Sequence, residues 1–227
     1  MEREVQADQY WLGLLLFGVL TNKYGIGNPH HEAWPRVKYL VSRGADVNAR
    51  DHIRRTPAMR CCMGRNPEIL QYLANNGADL DAVCILSKTA LHLAIFEEDI
   101  RCVVILLNYG VAMDKVDRSG ATALWMACYR GNLEIVKLLV EHGANPNLKI
   151  ECKLPRYDHF NGFSPRDAAI WGEHHDVAEY MNPRDLNWRR RFPYAAVLNS
   201  VKGAPTTNLA MRILQCDDVA RYIGSYL

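Results

Sequence analysis

A period of 33 residues constrains the fold of this chain more than any other feature of its sequence. Three classes of residue keep the same spacing, and chance rarely produces three classes in one register. The glycines are Gly44, Gly77, Gly110 and Gly143, the threonines are Thr56, Thr89 and Thr122, and the leucines are Leu40, Leu73, Leu106 and Leu139. The period predicts a stack of similar units, each of which contacts its neighbours along one continuous core.

The unit between residues 117 and 149 shows what one period encodes. Thr122 is a good helix N-cap, because its hydroxyl can accept a hydrogen bond from a free N–H of the first turn. A short helix with small residues follows and is broken at Gly131. Apolar residues at helical spacing from Leu133 to Val140 then predict a second helix. Gly143 stands where a helix end commonly needs a left-handed residue.

A turn and two helices in 33 residues resemble the ankyrin repeat family. The resemblance covers roughly residues 8–182. The segments that carry it are Thr56-Pro57-Ala58, Thr89-Ala90-Leu91-His92-Leu93-Ala94, Thr122-Ala123-Leu124-Trp125, Gly44-Ala45-Asp46-Val47-Asn48 and Gly77-Ala78-Asp79-Leu80-Asp81. The resemblance implies an all-α solenoid of helix-turn-helix units. It also implies that His92 hydrogen-bonds within its turn and to the next repeat, a network that Trp125 in the matching slot cannot make.

Two domains are predicted, an ankyrin repeat domain at residues 1–182 and a helical C-terminal extension at residues 183–227, which would cap the last repeat. The repeats are predicted at residues 1–49, 50–82, 83–115, 116–149 and 150–182. Ser164 lies 42 residues after Thr122, nine more than the period, so the fifth repeat carries a nine-residue insertion within residues 150–161. In the first repeat, helices are expected near residues 8–20 and 32–41, with a surface loop at residues 21–31 between them.

The resemblance also implies where a partner would bind. In this family, partners usually contact the concave face, which is formed by the turn tips and the first helix of each repeat. One variable helix position of that face corresponds here to Met63, Phe96, Tyr129 and Trp171. Arg55 and Arg130, together with Glu97, flank this row, and Ile85 and Leu86 are unusual apolar residues at a turn tip. The alternative is that neighbouring turns or the insertion cover the row.

Composition and motifs favour a non-catalytic protein that binds another protein. The formal net charge of +2 predicts no particular attraction to nucleic acid or acidic lipid. The chain lacks the common nucleophile, phosphate-binding and zinc-protease motifs, so no catalytic residue, cofactor, metal or small-molecule substrate is expected. The apolar run at residues 10–20 has 11 residues and is too short to cross a bilayer. The seven cysteines indicate reduced thiols in the cytoplasm or nucleus.

The C-terminal residues 214–227 suggest an alternative function. They faintly resemble the first helix of an F-box, with Leu214, the acidic pair Asp217-Asp218 and an apolar face that includes Ile223. Cys216 stands where such motifs usually carry proline. This resemblance implies an adaptor that recruits a ubiquitin ligase, whereas a capping helix is the simpler interpretation.

The repeat resemblance further implies a possible covalent modification. The family includes substrates of an asparaginyl hydroxylase that modifies the asparagine of Gly-Ala-Asp-x-Asn. Asn48 matches this pattern and Asn147 nearly matches it.

Overall fold

The computed structural model describes residues 29–151 and 160–182, together with Gly13 and Leu16. The described part of the chain is built from helices joined by tight turns, with no strand longer than a single bridge between Val116 and Thr122. The helices are α1 (Pro29–Ser42), α2 (Pro57–Met63), α3 (Pro67–Asn75), α4 (Ala90–Phe96), α5 (Ile100–Asn108), α6 (Ala123–Arg130), α7 (Leu133–Glu141), α8 (Pro165–Trp171) and α9 (His175–Tyr180). The all-α solenoid predicted from the sequence is confirmed for these residues.

The first helix of each described repeat begins at a hydroxyl residue. In each case the side-chain oxygen accepts the backbone N–H three residues later, which satisfies one of the unpaired donors of the first turn. These N-caps are Thr56, Thr89, Thr122 and Ser164. The N-cap prediction for Thr122 is therefore confirmed. The nine-residue insertion shifts the fifth N-cap along the chain without changing how its helix starts.

Left-handed backbone recurs at equivalent positions of the turns. After the second helices, φ lies between 70° and 95° at the periodic glycines 44, 77, 110 and 143. The hairpin tips, which are the turns between consecutive repeats, use the same conformation, with φ of 82° at Gly120 and 55° at Ser87. A side chain at such a φ costs about 1–2 kcal/mol. Ser87 therefore occupies a position that favours glycine, and the fold imposes its conformation.

Two layers of helices stack on each other along the repeats. The first helices α2, α4, α6 and α8 pack against one another in order, and the second helices α3, α5, α7 and α9 do the same. Trp34 of α1 continues the second layer by an edge-to-face contact with Tyr72 of α3, at 5.3 Å between ring centroids. The periodic leucines 40, 73, 106 and 139 are all buried in one continuous core.

Hydrogen bonds with the same 33-residue spacing join consecutive repeats. The side chains of Asn48, Asp81 and Asp114 accept backbone N–H groups of the next repeat, from Asp79, Ala112 and Asn145 respectively. Asn48 also donates from Nδ2 to the carbonyl oxygen of Gly77 over 3.1 Å. Asn48 thus has a structural role between two repeats. Its hydroxylation, like that of Asn147, stays a prediction.

The start of α1 differs from the sequence prediction. The helix begins at Pro29, so residues 29–31 are helical rather than part of the loop expected at residues 21–31. Proline is compatible with the first turn of a helix, because that turn does not need its N–H. Of the helix expected near residues 8–20, Gly13 and Leu16 are described, and both are helical and buried. The predicted extension at residues 183–227 lies outside the described residues.

His92 links the third repeat to the fourth. Its Nδ1 accepts from the Thr89 hydroxyl at 2.9 Å and from the Thr89 N–H at 3.3 Å. With Nδ1 as acceptor, Nε2 carries the proton and donates to the carbonyl oxygen of Ala121 at 3.2 Å. This is the structural role that the resemblance implied. Burial lowers the pKa of His92, outweighing the hydrogen bond to Ala121 and the charge of Asp117, both of which raise it.

His92 should make stability depend on pH. Its folded pKa lies below the unfolded value of about 6.5, so the unfolded state binds more protons as the pH falls through this range. The free energy of unfolding should therefore decrease on acidification, by up to about 1.4 kcal/mol per pH unit from this residue. Urea unfolding of the wild type and a His92→Gln variant at pH about 7.5 and 5.5 measures the effect. Equal pH dependence in both proteins would contradict it.

Candidate protein-binding face

The predicted row of large side chains lies at the ends of the first helices. Phe96 ends α4, Trp171 ends α8, and Tyr129 is the penultimate residue of α6. Their exposed fractions are 48%, 56% and 39%, respectively. Met63, at the same register of α2, is half-buried. The exposed part of the row therefore consists of three aromatic side chains from consecutive repeats.

Two arginines lie against Met63. The Nη1 atoms of Arg55 and Arg60 are 3.7 and 3.8 Å from its sulfur. Arg55, predicted as a polar contact at the edge of the row, forms an ion pair with Asp51 over 2.8 Å. Arg60 is half-buried, and burial lowers its pKa. The second repeat thus offers a partner less free apolar surface than the repeats after it.

Two cations flank the ring of Phe96. Lys88 Nζ lies 5.3 Å from the ring centroid, and the guanidinium carbon of Arg130 lies 4.8 Å from it. Contacts of this kind contribute about 0.5–1 kcal/mol each at exposed sites. Arg130 also pairs with Glu98 over 3.2 Å. Phe96 is therefore an exposed ring whose surroundings are charged and whose side chain is held in place by its neighbours.

Phe160, at the end of the insertion, lies among the aromatic residues of the fourth and fifth repeats. Its ring centroid is 5.8 Å from those of both Tyr129 and Trp171, with edge-to-face geometry in each case. Trp125 and Phe163 are similarly close, at 5.4 and 5.7 Å. Phe160 itself is only 8% exposed. The insertion therefore covers part of the row at Tyr129 and Trp171, as the alternative interpretation of the sequence allowed.

Trp125, which occupies the slot of His92 and cannot make its hydrogen bonds, packs among aromatic side chains instead. Its ring stacks on Tyr129, with centroids 5.4 Å apart and planes inclined by 9°. Its indole nitrogen is buried and has no hydrogen-bond partner among the described residues. In the third repeat, the residue in this slot, His92, links two repeats by hydrogen bonds. In the fourth repeat, the residue in the same slot, Trp125, packs within the aromatic cluster instead.

The hairpin tips carry apolar side chains into solvent. Ile85 and Leu86 are 49% and 44% exposed. Their backbones join neighbouring hairpins, since the N–H of Ile85 donates to Ile53 O over 3.1 Å and Leu86 O accepts the N–H of Arg118 over 2.9 Å. The tips therefore form a connected edge next to the ends of the first helices.

Among the described residues, no group of three or more His, Cys, Asp and Glu side chains could hold a metal ion. Burial raises the pKa of Cys61 and Cys128, which disfavours the nucleophilic thiolate. In the same part of the chain, none of the helices combines the length and the apolar character needed to cross a bilayer.

Comparison with protein families identifies the repeats. The family model described as ankyrin repeats (3 copies) matches residues 28–117, 69–150 and 97–187. Together these matches span more than two thirds of the 227 residues, so the chain belongs to the ankyrin repeat family. Ankyrin repeats are generally protein–protein interaction modules. No curated protein gives a significant match to this chain.

Proposed function

We propose that this chain is a non-catalytic protein that binds a protein partner on the face formed by its hairpin tips and first helices. The observation that carries the proposal is the row of Phe96, Tyr129 and Trp171, exposed in three consecutive repeats. The partner is expected to be a protein rather than a nucleic acid, a membrane or a small molecule. No cofactor or metal enters this function.

The chemistry of the row suits a binding hot spot. Aromatic side chains supply a large contact area at low entropic cost, and tryptophan and tyrosine are enriched among residues that dominate binding energy. Phe160 and the cations beside Phe96 restrict the rings before a partner arrives, which reduces the ordering cost of association. Arg130 is positioned to contribute polar contacts at the edge, with Ile85 and Leu86 on the adjoining hairpin.

The proposal is tested with a triple variant in which Phe96, Tyr129 and Trp171 are changed to alanine. The matched control is Tyr39→Ala/Tyr109→Ala, which removes two exposed tyrosines, one from α1 and one from the residue that follows α5. Partners captured from cell lysate by the wild type should be lost with the triple variant and retained with the control. Helical circular dichroism of all three proteins should be the same.

An unchanged set of partners with the folded triple variant would reject the aromatic row as the binding site. Binding would then have to be sought at Ile85 and Leu86, at Arg55, or at the C-terminal residues. The row also predicts a quantitative result. Affinity for a captured partner should fall at least tenfold, since truncation of a single hot-spot side chain typically costs about 2 kcal/mol or more.

A second candidate function is that of an adaptor that recruits a ubiquitin ligase through an F-box-like helix within residues 214–227. The acidic pair and the apolar face in that sequence favour it. Deletion of residues 209–227 should then abolish binding of the ligase linker protein and leave partner capture by the repeats intact. For either function we propose a cytoplasmic or nuclear location, which the free, buried thiols of the described cysteines support.

A further inference from the structure

The hairpin tips carry three cations that pair with no carboxylate in the part of the chain that the structure describes. Arg54 and Arg118 are exposed and Lys88 is half-buried, and none of the three forms an ion pair with a carboxylate of the described residues. The three residues come from three consecutive hairpins. Together with Ile85 and Leu86 they are called here the hairpin surface. Because no carboxylate of the described residues pairs with these cations, they are available to a carboxylate of another molecule.

The acidic residues of the same hairpins are used internally. Asp51 pairs with Arg55 and accepts the backbone N–H groups of Ile53 and Arg55. Asp117 is buried, and one of its oxygens accepts the N–H and the hydroxyl of Ser119. These carboxylates thus close the turns, whereas Arg54 and Arg118 are exposed and Lys88 lies over the Phe96 ring. The hairpin surface is therefore positive, although the net charge of the whole chain is only +2.

The negative residues near Phe96 do not cancel this charge. Glu98 pairs with Arg130 at 3.2 Å, and Glu97 lies 4.0 Å from Arg65. Lys88 is held over the Phe96 ring, which is an apolar and uncharged partner. An approaching carboxylate could therefore pair with Lys88 while an attached apolar group contacts Phe96.

We propose that the hairpin surface and Phe96 bind an acidic peptide segment that carries large apolar side chains. Its carboxylates meet Arg54, Lys88 and Arg118, and its apolar side chains cover Ile85, Leu86 and Phe96. This inference rests on the proposed function and specifies the chemistry of the partner.

The apolar residues favour a peptide over RNA. Interfaces with nucleic acid are polar and strongly positive, and phosphate contacts supply much of their affinity. Ile85 and Leu86 belong to the middle one of the three hairpins, and nearly half of each side chain is exposed. These aliphatic side chains add nothing to phosphate binding. Burying them against apolar side chains of a partner makes the free energy of binding more favourable, because water is excluded from their surface. A peptide that alternates acidic and apolar residues satisfies both halves of the surface.

Selection from a random peptide library displayed against the immobilised full chain tests the proposal. The selected sequences should contain an excess of Asp and Glu together with Leu, Ile, Phe or Trp. The affinity of a selected, fluorescently labelled peptide is then measured by anisotropy for the wild type and for Lys88→Glu/Arg118→Glu. We expect the charge-reversed variant to bind at least tenfold more weakly, and raised salt to weaken binding to the wild type.

The matched control is Arg43→Glu/Lys137→Glu, which makes the same change in net charge on the layer of second helices. It should bind the peptide within about twofold of the wild type, because charges beyond a Debye length of about 8–10 Å are largely screened. Circular dichroism of both charge variants should match that of the wild type. A Lys88→Ala/Arg118→Ala variant, which removes the charges without reversing them, should show an intermediate loss of affinity.

Several outcomes would overturn the inference. The first two are selected peptides without an acidic excess and peptide binding that charge reversal does not change. The third is that labelled poly(U) RNA binds more tightly than the peptide and is weakened by the same Lys88→Glu/Arg118→Glu change. The fourth is that light scattering shows a dimer of the chain, which Leu86→Asp dissociates. If the Phe96/Tyr129/Trp171 triple variant loses its captured partners while charge reversal has no effect, the acidic partner is rejected and the proposed binding face stands. Loss in neither variant rejects both.

Discussion

Replacing Gly120 by alanine should lower the free energy of unfolding by about 2–4 kcal/mol, combining a left-handed penalty with a forced backbone shift. Gly120 has a φ of 82° at the tip of its hairpin. A Cβ there would lie 2.5 Å from the carbonyl oxygen of Glu151, which belongs to the backbone and cannot rotate away. The hairpin or the start of the insertion would have to move. Urea unfolding followed by circular dichroism measures the loss.

Gly110→Ala is the matched control for this variant. Gly110 has a φ of 70°, but the described residues place nothing within 4 Å of its Cβ position. The alanine there should cost only the left-handed penalty, about 1 kcal/mol. If Gly110→Ala and Gly120→Ala lowered the free energy of unfolding equally, the backbone of Glu151 would not be in close contact with the hairpin tip.

Phe160→Ala should lower the free energy of unfolding by about 3 kcal/mol. This is near the lower end of the range of about 3–5 kcal/mol for truncating a buried phenylalanine, because the aromatic cluster lies beside the partly exposed row rather than in the middle of the core. The ring is 8% exposed and has edge-to-face contacts with Trp125, Tyr129 and Trp171. Its removal leaves a cavity that these large rings cannot fill without leaving their positions. Tryptophan fluorescence should also change in the folded state, since two of the contacting rings are indoles.

Phe96→Ala makes the same chemical change on the exposed part of the row. Phe96 is 48% exposed and its ring contacts are with the cations Lys88 and Arg130. We expect it to cost about 1–2 kcal/mol, because the two cation–ring contacts are lost and the half-exposed ring buries little apolar area. If the two variants lost the same amount of unfolding free energy, the insertion would not anchor the aromatic cluster through Phe160.

The sequence was sufficient to predict the repeats because every level of their structure repeats with them. Thr122 caps its helix, Gly143 ends the next one in a left-handed conformation, and the periodic leucines are buried. His92 makes the hydrogen bonds that the family resemblance implied. The start of α1 was missed because the periodic glycine, threonine and leucine positions do not extend to residues 21–31, so no equivalent turn indicated where the helix begins.

The candidate site was only partly predictable. Register alone placed Phe96, Tyr129 and Trp171 on one face, but it could not show that Met63 lies against Arg55 and Arg60. The position of Phe160 was also beyond the periodic pattern, because an insertion has no equivalent residue in the other repeats. Its aromatic character beside Phe163 was the one available signal. The pairing of Asp51 with Arg55 depends on how a hairpin closes, which spacing does not report.

The insertion is closed at its base by the backbone. The N–H of Ile150 donates to Phe163 O over 2.9 Å, and the N–H of Gly162 donates to Ile150 O over 3.0 Å. The two ends therefore stay together whatever length of chain joins them, and doubling a flexible loop costs only about 0.6 kcal/mol. This position can accept grafted sequence of different lengths while the neighbouring repeats keep their register. Variation between related chains should accumulate at this site before it reaches the helices.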